Sequence, residues 1–338
     1  MVPKVMIILG SGSDIDIAKK SIDILEKLEI PYSLKVASAH RTHSLVKALV
    51  KEATEAGVEV FIGIAGLAAH LPGIISAYTH RPVIGVPVKG AVGGIDALYA
   101  SVQVPYPTPV ATVGINRGDN AAILAAQFIA IHDPKAAVKI SELRNEYATK
   151  VIDSNYTVID EIEGNYIDKD FLDIKSLKIE EKEIETCRKY NYDAKVAVLA
   201  GNYSDIVIAK KVAIILDRLK IEHDMQVLCP IRHPEAFENY VKGMKNVDVF
   251  IGISSNSSII TGGLCGLTEK PVIGVPCGEK LGIDSLLSMV NMPPGVPVAT
   301  VGVNNGRNAA ILAGEILAVD NPDKKVILEK TKNKKMSI

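Results

Sequence analysis

The chain has 338 residues, 48% of them hydrophobic, and its 38 basic and 39 acidic side chains leave a formal charge of −1 at pH 7. At about 150 residues per domain this length predicts two domains with ample apolar material for their cores, while the charge balance excludes a bulk field for nucleic acid or an anionic membrane. No apolar run approaches the ~18 residues that span a bilayer, and Cys187, Cys229, Cys265 and Cys277, with no Cys-x-x-Cys pair among them, point to neither a disulfide framework nor a zinc site.

Residues 4–9 read as a first strand, because Val5-Met-Ile-Ile-Leu9 is too short for a signal-peptide core and stops at Gly10-Ser. A cytoplasmic protein is the expectation. After Gly10-Ser-Gly-Ser-Asp14, Ile15, Ala18, Ile22 and Leu25 fall on one helical face and Lys19, Lys20, Asp23 and Glu26 on the other. Ser33–Ala37 predicts a second strand, and Leu45, Val46, Leu49, Val50 and Ala53 a second helix, so that Ser38 to Arg41 occupy the turn between them. Val58–Ala65 is a third strand leading to Gly66-Leu-Ala-Ala-His70. Pro82–Val88 is a fourth, opening into a loop with Gly90, Gly93 and Gly94 that reads as a pocket wall. Val110–Gly114 is a fifth, followed by a helix over 119–131.

Near-continuous apolar strands alternating with helices predict a parallel sheet covered on both faces, a flavodoxin-like three-layer αβα architecture. The rhythm breaks from about 133 to 193, where a helical arm over Ala136–Val151 is followed by a polar connector carrying Asp168-Lys-Asp170 and Glu180-Glu-Lys-Glu183.

Then the pattern returns. Gly201-Asn-Tyr-Ser-Asp205-Ile-Val-Ile-Ala-Lys-Lys211 repeats Gly10 to Lys20 at an offset of 191 (205 − 14). Pro271 to Pro276 repeats Pro82 to Pro87 at 189 (271 − 82), and Pro297 to Gly302 repeats Pro109 to Gly114 at 188 (297 − 109). Motifs recurring in one order with slowly drifting offsets mean tandem copies of one domain. The expected division is 1–152 for the first copy, 153–193 for the connector, 194–325 for the second copy and 326–338 for a basic tail.

The copies differ where chemistry is expected. His40 corresponds to Ile231, Ser38 to Cys229 and His70 to Ile259, whereas Asp14 and Arg41 keep Asp205 and Arg232. An isoleucine moves no proton, so acid/base work belongs to the first copy alone. In an open α/β sheet, ligands bind outside the carboxyl ends of the strands, where helix N-termini present free N–H groups. Ser38 and Arg41 suit a phosphate there, and His40 suits proton transfer. Taken singly, Arg41 reads as a solvated charge sooner than as a ligand, and His40 similarly as a helix cap. His70 before Leu71-Pro-Gly reads also as a packed histidine. His43, His80, His132, His223 and His233 read as surface or structural.

The succession Gly10-Ser-x-Ser-Asp14, Ser38-Ala-His-Arg-Thr42, Ala68-Ala-His-Leu-Pro-Gly73, Pro82 to Val88 and Asn120-Ala-Ala-Ile-Leu-Ala125 resembles the class I PurE family, the N5-carboxyaminoimidazole ribonucleotide mutases of purine synthesis. The likeness spans about 4–150 and, weakened, 194–320; such fused copies look like archaeal members of the family. Ile15 stands where class I members often carry tryptophan, and Gly66-Leu67 where the family usually has Gly-Gly.

The resemblance implies transfer of a carboxylate from the exocyclic nitrogen to C4 of the imidazole ring, through carbon dioxide held in a closed site, without ATP, biotin or metal. It implies Ser11 and Asp14 as substrate ligands, Ser38 and Arg41 on the 5′-phosphate, His40 as the acid/base, and Ala68, Ala69 and His70 around the carboxylate. It also implies a homo-oligomer, four two-copy chains making the equivalent of the family's octamer. The alternatives are direct carboxylation of aminoimidazole ribonucleotide, as in class II, and a non-catalytic nucleotide-sensing module, a role open to the second copy.

Overall fold

Alternation of buried strands and amphipathic helices produces two copies of one sheet in the computed structural model, which describes residues 2–90, 92–161, 174–177, 189–255, 257–278 and 282–336. The first copy runs β1 (Val5–Leu9), α1 (Ile15–Lys27), β2 (Tyr32–Val36), α2 (His43–Ala56), β3 (Val60–Ala65), α3 (Leu71–Tyr78), β4 (Val83–Pro87), α4 (Ile95–Val102), β5 (Ala111–Thr112) and α5 (Gly118–Ala130). All five strands are parallel, in the order β2-β1-β3-β4-β5. Every residue of β1, β3 and β4 is buried, as a sheet covered by helices on both faces requires.

After α6 (Pro134–Asp160), the second copy repeats the path as β6 (Val196–Ala200), α7 (Ile206–Arg218), β7 (His223–Val227), α8 (Pro234–Gly243), β8 (Val249–Ser255), α9 (Ile259–Leu267), β9 (Val272–Cys277), α10 (Ile283–Val290), β10 (Ala299–Thr300), α11 (Gly306–Leu317) and α12 (Pro322–Met336). Its order, β7-β6-β8-β9-β10, is that of the first copy. The two parallel sheets are joined at their edges, which the sequence reading did not anticipate: β5 and β10 pair antiparallel through Thr112 and Thr300, making one sheet of ten strands.

The junction is a local two-fold. Asn120 donates to the Pro293 carbonyl at 3.0 Å and Asn308, 188 positions on (308 − 120), donates to the Val104 carbonyl at 3.2 Å. Leu98 and Val102 of α4 form one buried cluster with Leu286 and Val290 of α10. Each copy presents the same patch to the other, as two subunits of a symmetric dimer would.

The arm over Ala136–Val151 is the longer helix α6, so the boundary placed at 152 falls inside a helix. Most of the connector, including both of its charged runs, lies outside the described residues. The stretch from 326 read as a basic tail is the body of α12: Leu328 is fully buried in the core and Lys332 is buried beneath the helix. No helix among the described residues is long and apolar enough to cross a membrane. Cys229, Cys265 and Cys277 are buried free thiols, and burial pushes Cys265 and Cys277 up to about 12, which leaves them unreactive.

One close approach sets the helix layer over β1 and β3. A Cβ on Gly118 would stand 2.2 Å from the Ile17 carbonyl oxygen, and Ser21 donates to the Gly118 carbonyl at 2.8 Å, so α1 and α5 touch backbone to backbone. The second copy repeats this at Gly306, where a Cβ would stand 2.9 Å from the Ile208 carbonyl. Because no side chain can swing aside there, Gly118→Ala is expected to cost about 3 kcal/mol of stability, the upper end of overpacking. The denaturant midpoint of the full chain measures it, and an unchanged midpoint would contradict so tight a contact.

Candidate active site

The four loops that leave the carboxyl ends of β1, β2, β3 and β4 enclose a cleft of about 520 Å³. All eight residues marked out in the sequence line it: Ser11 and Asp14 from the first loop, Ser38, His40 and Arg41 from the second, and Ala68, Ala69 and His70 from the third. Strand order explains the gathering. Between β1 and β3 the chain reverses its direction of progress across the sheet, and a crevice opens there between loops that diverge to opposite faces.

The second loop is a rigid turn. Thr42 Oγ1 accepts from the Ser38 amide at 2.8 Å and donates to the Ser38 carbonyl at 3.2 Å, closing the turn on itself. Ser38 Oγ accepts from the Arg41 amide at 3.3 Å, and the Arg41 guanidinium donates to the Gly10 carbonyl at 3.3 Å. Guanidinium, hydroxyl and the N-terminus of α2, whose first turn carries no acid, thereby face one region. Groups of these kinds suit an anion.

His40 and His70 meet across the cleft. Their Nε2 and Nδ1 atoms lie 2.9 Å apart, with ring centroids at 5.0 Å and planes inclined by 68°. One nitrogen must donate to the other, so a proton sits between two imidazoles. His70 caps no backbone N–H with its side chain, and both rings are exposed. The third loop that carries His70 is strained: Leu67 has φ +54° and Ala69 φ +32°, in the left-handed region that glycine enters freely.

Asp14 is half-buried at the N-terminus of α1. Burial raises its carboxyl above the ordinary aspartate value, against hydrogen bonds from the Ser13 side chain at 3.1 Å and from the Ser11 backbone that pull it down. A carboxylate so placed is suited to accept hydrogen bonds from ligand hydroxyls. Ser13, Lys89 and Gly90 also line the cleft. Sequence reasoning had marked the glycine as a wall but missed the other two. The signal for Lys89 was present in the duplication, since its counterpart is Gly278 (89 + 189). Among the described residues no group of three or more His, Cys, Asp or Glu side chains gathers as a metal site.

The second copy keeps the scaffold and loses the cleft's chemistry. Arg232 donates to the Gly201 carbonyl just as Arg41 does to Gly10, but it is also bound by Asn202 Oδ1 at 2.8 Å. Asp205, only 4% exposed, turns inward to accept from the Ser255 amide at 3.4 Å and hydroxyl at 3.3 Å. Ile231 stands 67% exposed where His40 is. A cavity of about 680 Å³ lies beside Asp205, Lys211 and Asn304, and Ile231, Arg232 and Ile259 are not among its walls.

The family model described as AIR carboxylase matches residues 4–150 and again 195–337. A relative in Methanobrevibacter smithii, described as "Probable N5-carboxyaminoimidazole ribonucleotide mutase", is 62% identical over 339 residues, covering 100% of both chains. One in Methanothermobacter thermautotrophicus, with the same description, is 55% identical over 320 residues, 94% of each chain. An N5-carboxyaminoimidazole ribonucleotide mutase of Methanocaldococcus jannaschii is 49% identical over 154 residues, covering 46% of this chain and 96% of its own.

Proposed function

The chain belongs to the AIR carboxylase family in both of its halves, and from that premise we propose that its first half converts N5-carboxyaminoimidazole ribonucleotide to 4-carboxy-5-aminoimidazole ribonucleotide. It is an enzyme of purine biosynthesis, a mutase whose two copies have divided chemistry from architecture. The observation that carries the reading is the His40–His70 pair, 2.9 Å apart over a cleft that also holds Arg41 and Asp14, with isoleucine at both equivalent positions in the second copy.

In this reading Ser38 and Arg41 grip the 5′-phosphate, while Ser11 and Asp14 hold the sugar. Ala68, Ala69 and His70 border the carboxylate. His40 gives a proton to the exocyclic nitrogen as its bond to the carboxyl carbon breaks, releasing carbon dioxide into the cleft. The ring carbon C4 then attacks that carbon, and the proton leaving C4 returns to the imidazole, so protons and electron pairs balance and nothing is consumed. A group that must act first as acid and then as base suits an imidazole. Excluding water keeps the carbon dioxide from being lost as bicarbonate. No cofactor or metal takes part. The reading carries with it a cytoplasmic homo-oligomer of four chains, acting on a small ribonucleotide rather than on nucleic acid or membrane.

The test offers the purified chain N5-carboxyaminoimidazole ribonucleotide in one vessel and aminoimidazole ribonucleotide with bicarbonate in another, both without ATP. The C4-carboxylated product is expected to form rapidly only in the first. Formation only in the second would make the enzyme a direct carboxylase, and formation in neither would leave a binding module.

A further inference from the structure

Resting on that reading of the cleft, we infer that Lys89 is a substrate-binding residue whose ammonium takes the migrating carboxylate, opposite the phosphate-binding Arg41. The sheet orders the groups that line the cleft. Arg41 follows β2, Asp14 follows β1, His70 follows β3 and Lys89 follows β4, and those strands are neighbours in the order β2-β1-β3-β4. Three strand spacings put the two cations at opposite ends of the cleft, with strand ends roughly 14 Å apart. A ribonucleotide bearing a carboxylate on its base has the same sequence of parts: phosphate, sugar, ring, carboxylate. With phosphate on Arg41, hydroxyls on Asp14 and the ring beside the two imidazoles, the second anion lies over the end of β4.

The loop holds Lys89 in place without using its charge. Its amide donates to Asn116 Oδ1 at 2.9 Å, and the Asn116 amide donates to the Pro87 carbonyl at 2.8 Å. Gly94, at φ +90°, packs so close that a Cβ there would stand 3.1 Å from the Lys89 Cα. The backbone is thus clamped from both sides. The ammonium forms no ion pair among the described residues, and the side chain is exposed at the cleft.

The second copy separates scaffold from ligand. Its Gly278 amide donates to Asn304 Oδ1 at 3.3 Å, repeating the clamp of Lys89 on Asn116. The side chain is gone. At this position the lysine is replaced together with both histidines, and Lys280, two residues on, lies outside the described residues, while the arginine, which also braces the loop of β1, remains. A residue kept for folding would follow the arginine; this one follows the chemistry.

Calorimetric titration of the full chain with two probes tests the assignment: aminoimidazole ribonucleotide, which has phosphate only, and its C4-carboxylated product, which has both anions. In Lys89→Gln the carboxylated ligand is expected to bind about 10- to 100-fold more weakly, the worth of one hydrogen bond between charged groups, and the uncarboxylated one within about 2-fold of wild type. Arg41→Met should weaken both, and Lys89→Arg should restore most of the difference. Equal weakening of both ligands by Lys89→Gln, or weakening of neither, overturns the assignment of Lys89. A wild-type chain that binds neither ribonucleotide overturns instead the functional reading beneath it.

Discussion

His40→Ala is expected to lower turnover by about 10²–10⁴-fold, the usual contribution of a positioned acid/base group, with circular dichroism and denaturant midpoint unchanged. The two halves of that expectation rest on different observations. His40 is exposed, and its hydrogen bond to His70 is a contact between two exposed rings, so truncation removes no buried area and opens no cavity. What it removes is the group proposed to give and take a proton at the ring. His70 remains in the variant, but its Nδ1 is then left without its hydrogen-bond partner at 2.9 Å. Arg41 and Ser38, the proposed phosphate ligands, are untouched, so KM should move far less than turnover. A variant with full turnover would show that the proton passes through another group. A variant equally weakened in turnover and in stability would show a structural histidine.

Much of this was legible because the chain carries its own comparison. Two copies that share Gly-x-x-Ser-Asp turns, Pro-Val-Ile-Gly-Val-Pro strands and an Asn-Ala-Ala-Ile-Leu-Ala helix report which residues the fold needs, and the positions where His40 and His70 give way to Ile231 and Ile259 report which it does not. The strands and their parallel, doubly covered sheet followed from the same apolar runs. What was not legible were the contacts between copies. β5 and β10 are two residues each, and Thr112 and Thr300 are fully buried whichever neighbour they pair with, so nothing in their types distinguishes a free sheet edge from a joined one. Lys89 escaped for a different reason. It lies in a loop whose glycines, two of them at φ +70° and +90°, draw attention to backbone shape, and a lone lysine among them resembles any solvated charge. Only the strand order, which puts β4 at the far end of the cleft from β2, gives that charge a place relative to the others.

The junction between copies also yields the second large effect. At one side of the local two-fold, Gln127 donates to the Glu269 carbonyl at 3.1 Å and Arg144 donates to the Thr268 and Cys265 carbonyls at 2.7 and 2.6 Å. At the other side the equivalent positions, 188 on, are Glu315 and Lys332. Lys332 donates to Glu315 Oε1 at 2.6 Å and to the Thr79 carbonyl at 3.0 Å, with the glutamate fully buried. Burial pushes the Glu315 carboxyl up to about 7, with the Lys332 ammonium opposing it. The folded chain therefore holds a proton there that the unfolded chain gives up at lower pH. Its contribution to stability is full below the ordinary glutamate range and declines as pH rises from about 4.5 to about 7.

Lys332→Met removes the ammonium and leaves the carboxyl in the core. At pH 8 the cost is expected to be about 3 kcal/mol, that of breaking a buried pair by deleting one partner. At pH 5 Glu315 takes a proton and is neutral, and the cost should fall to about 1 kcal/mol, that of the hydrogen bond to Thr79. Denaturation midpoints of the full chain at the two pH values measure the difference, and adding Glu315→Gln, the residue type found at Gln127, should abolish it. An equal loss at both pH values would mean that Glu315 never carries the charge, and that the two sides of the junction are held by the same neutral hydrogen bonds.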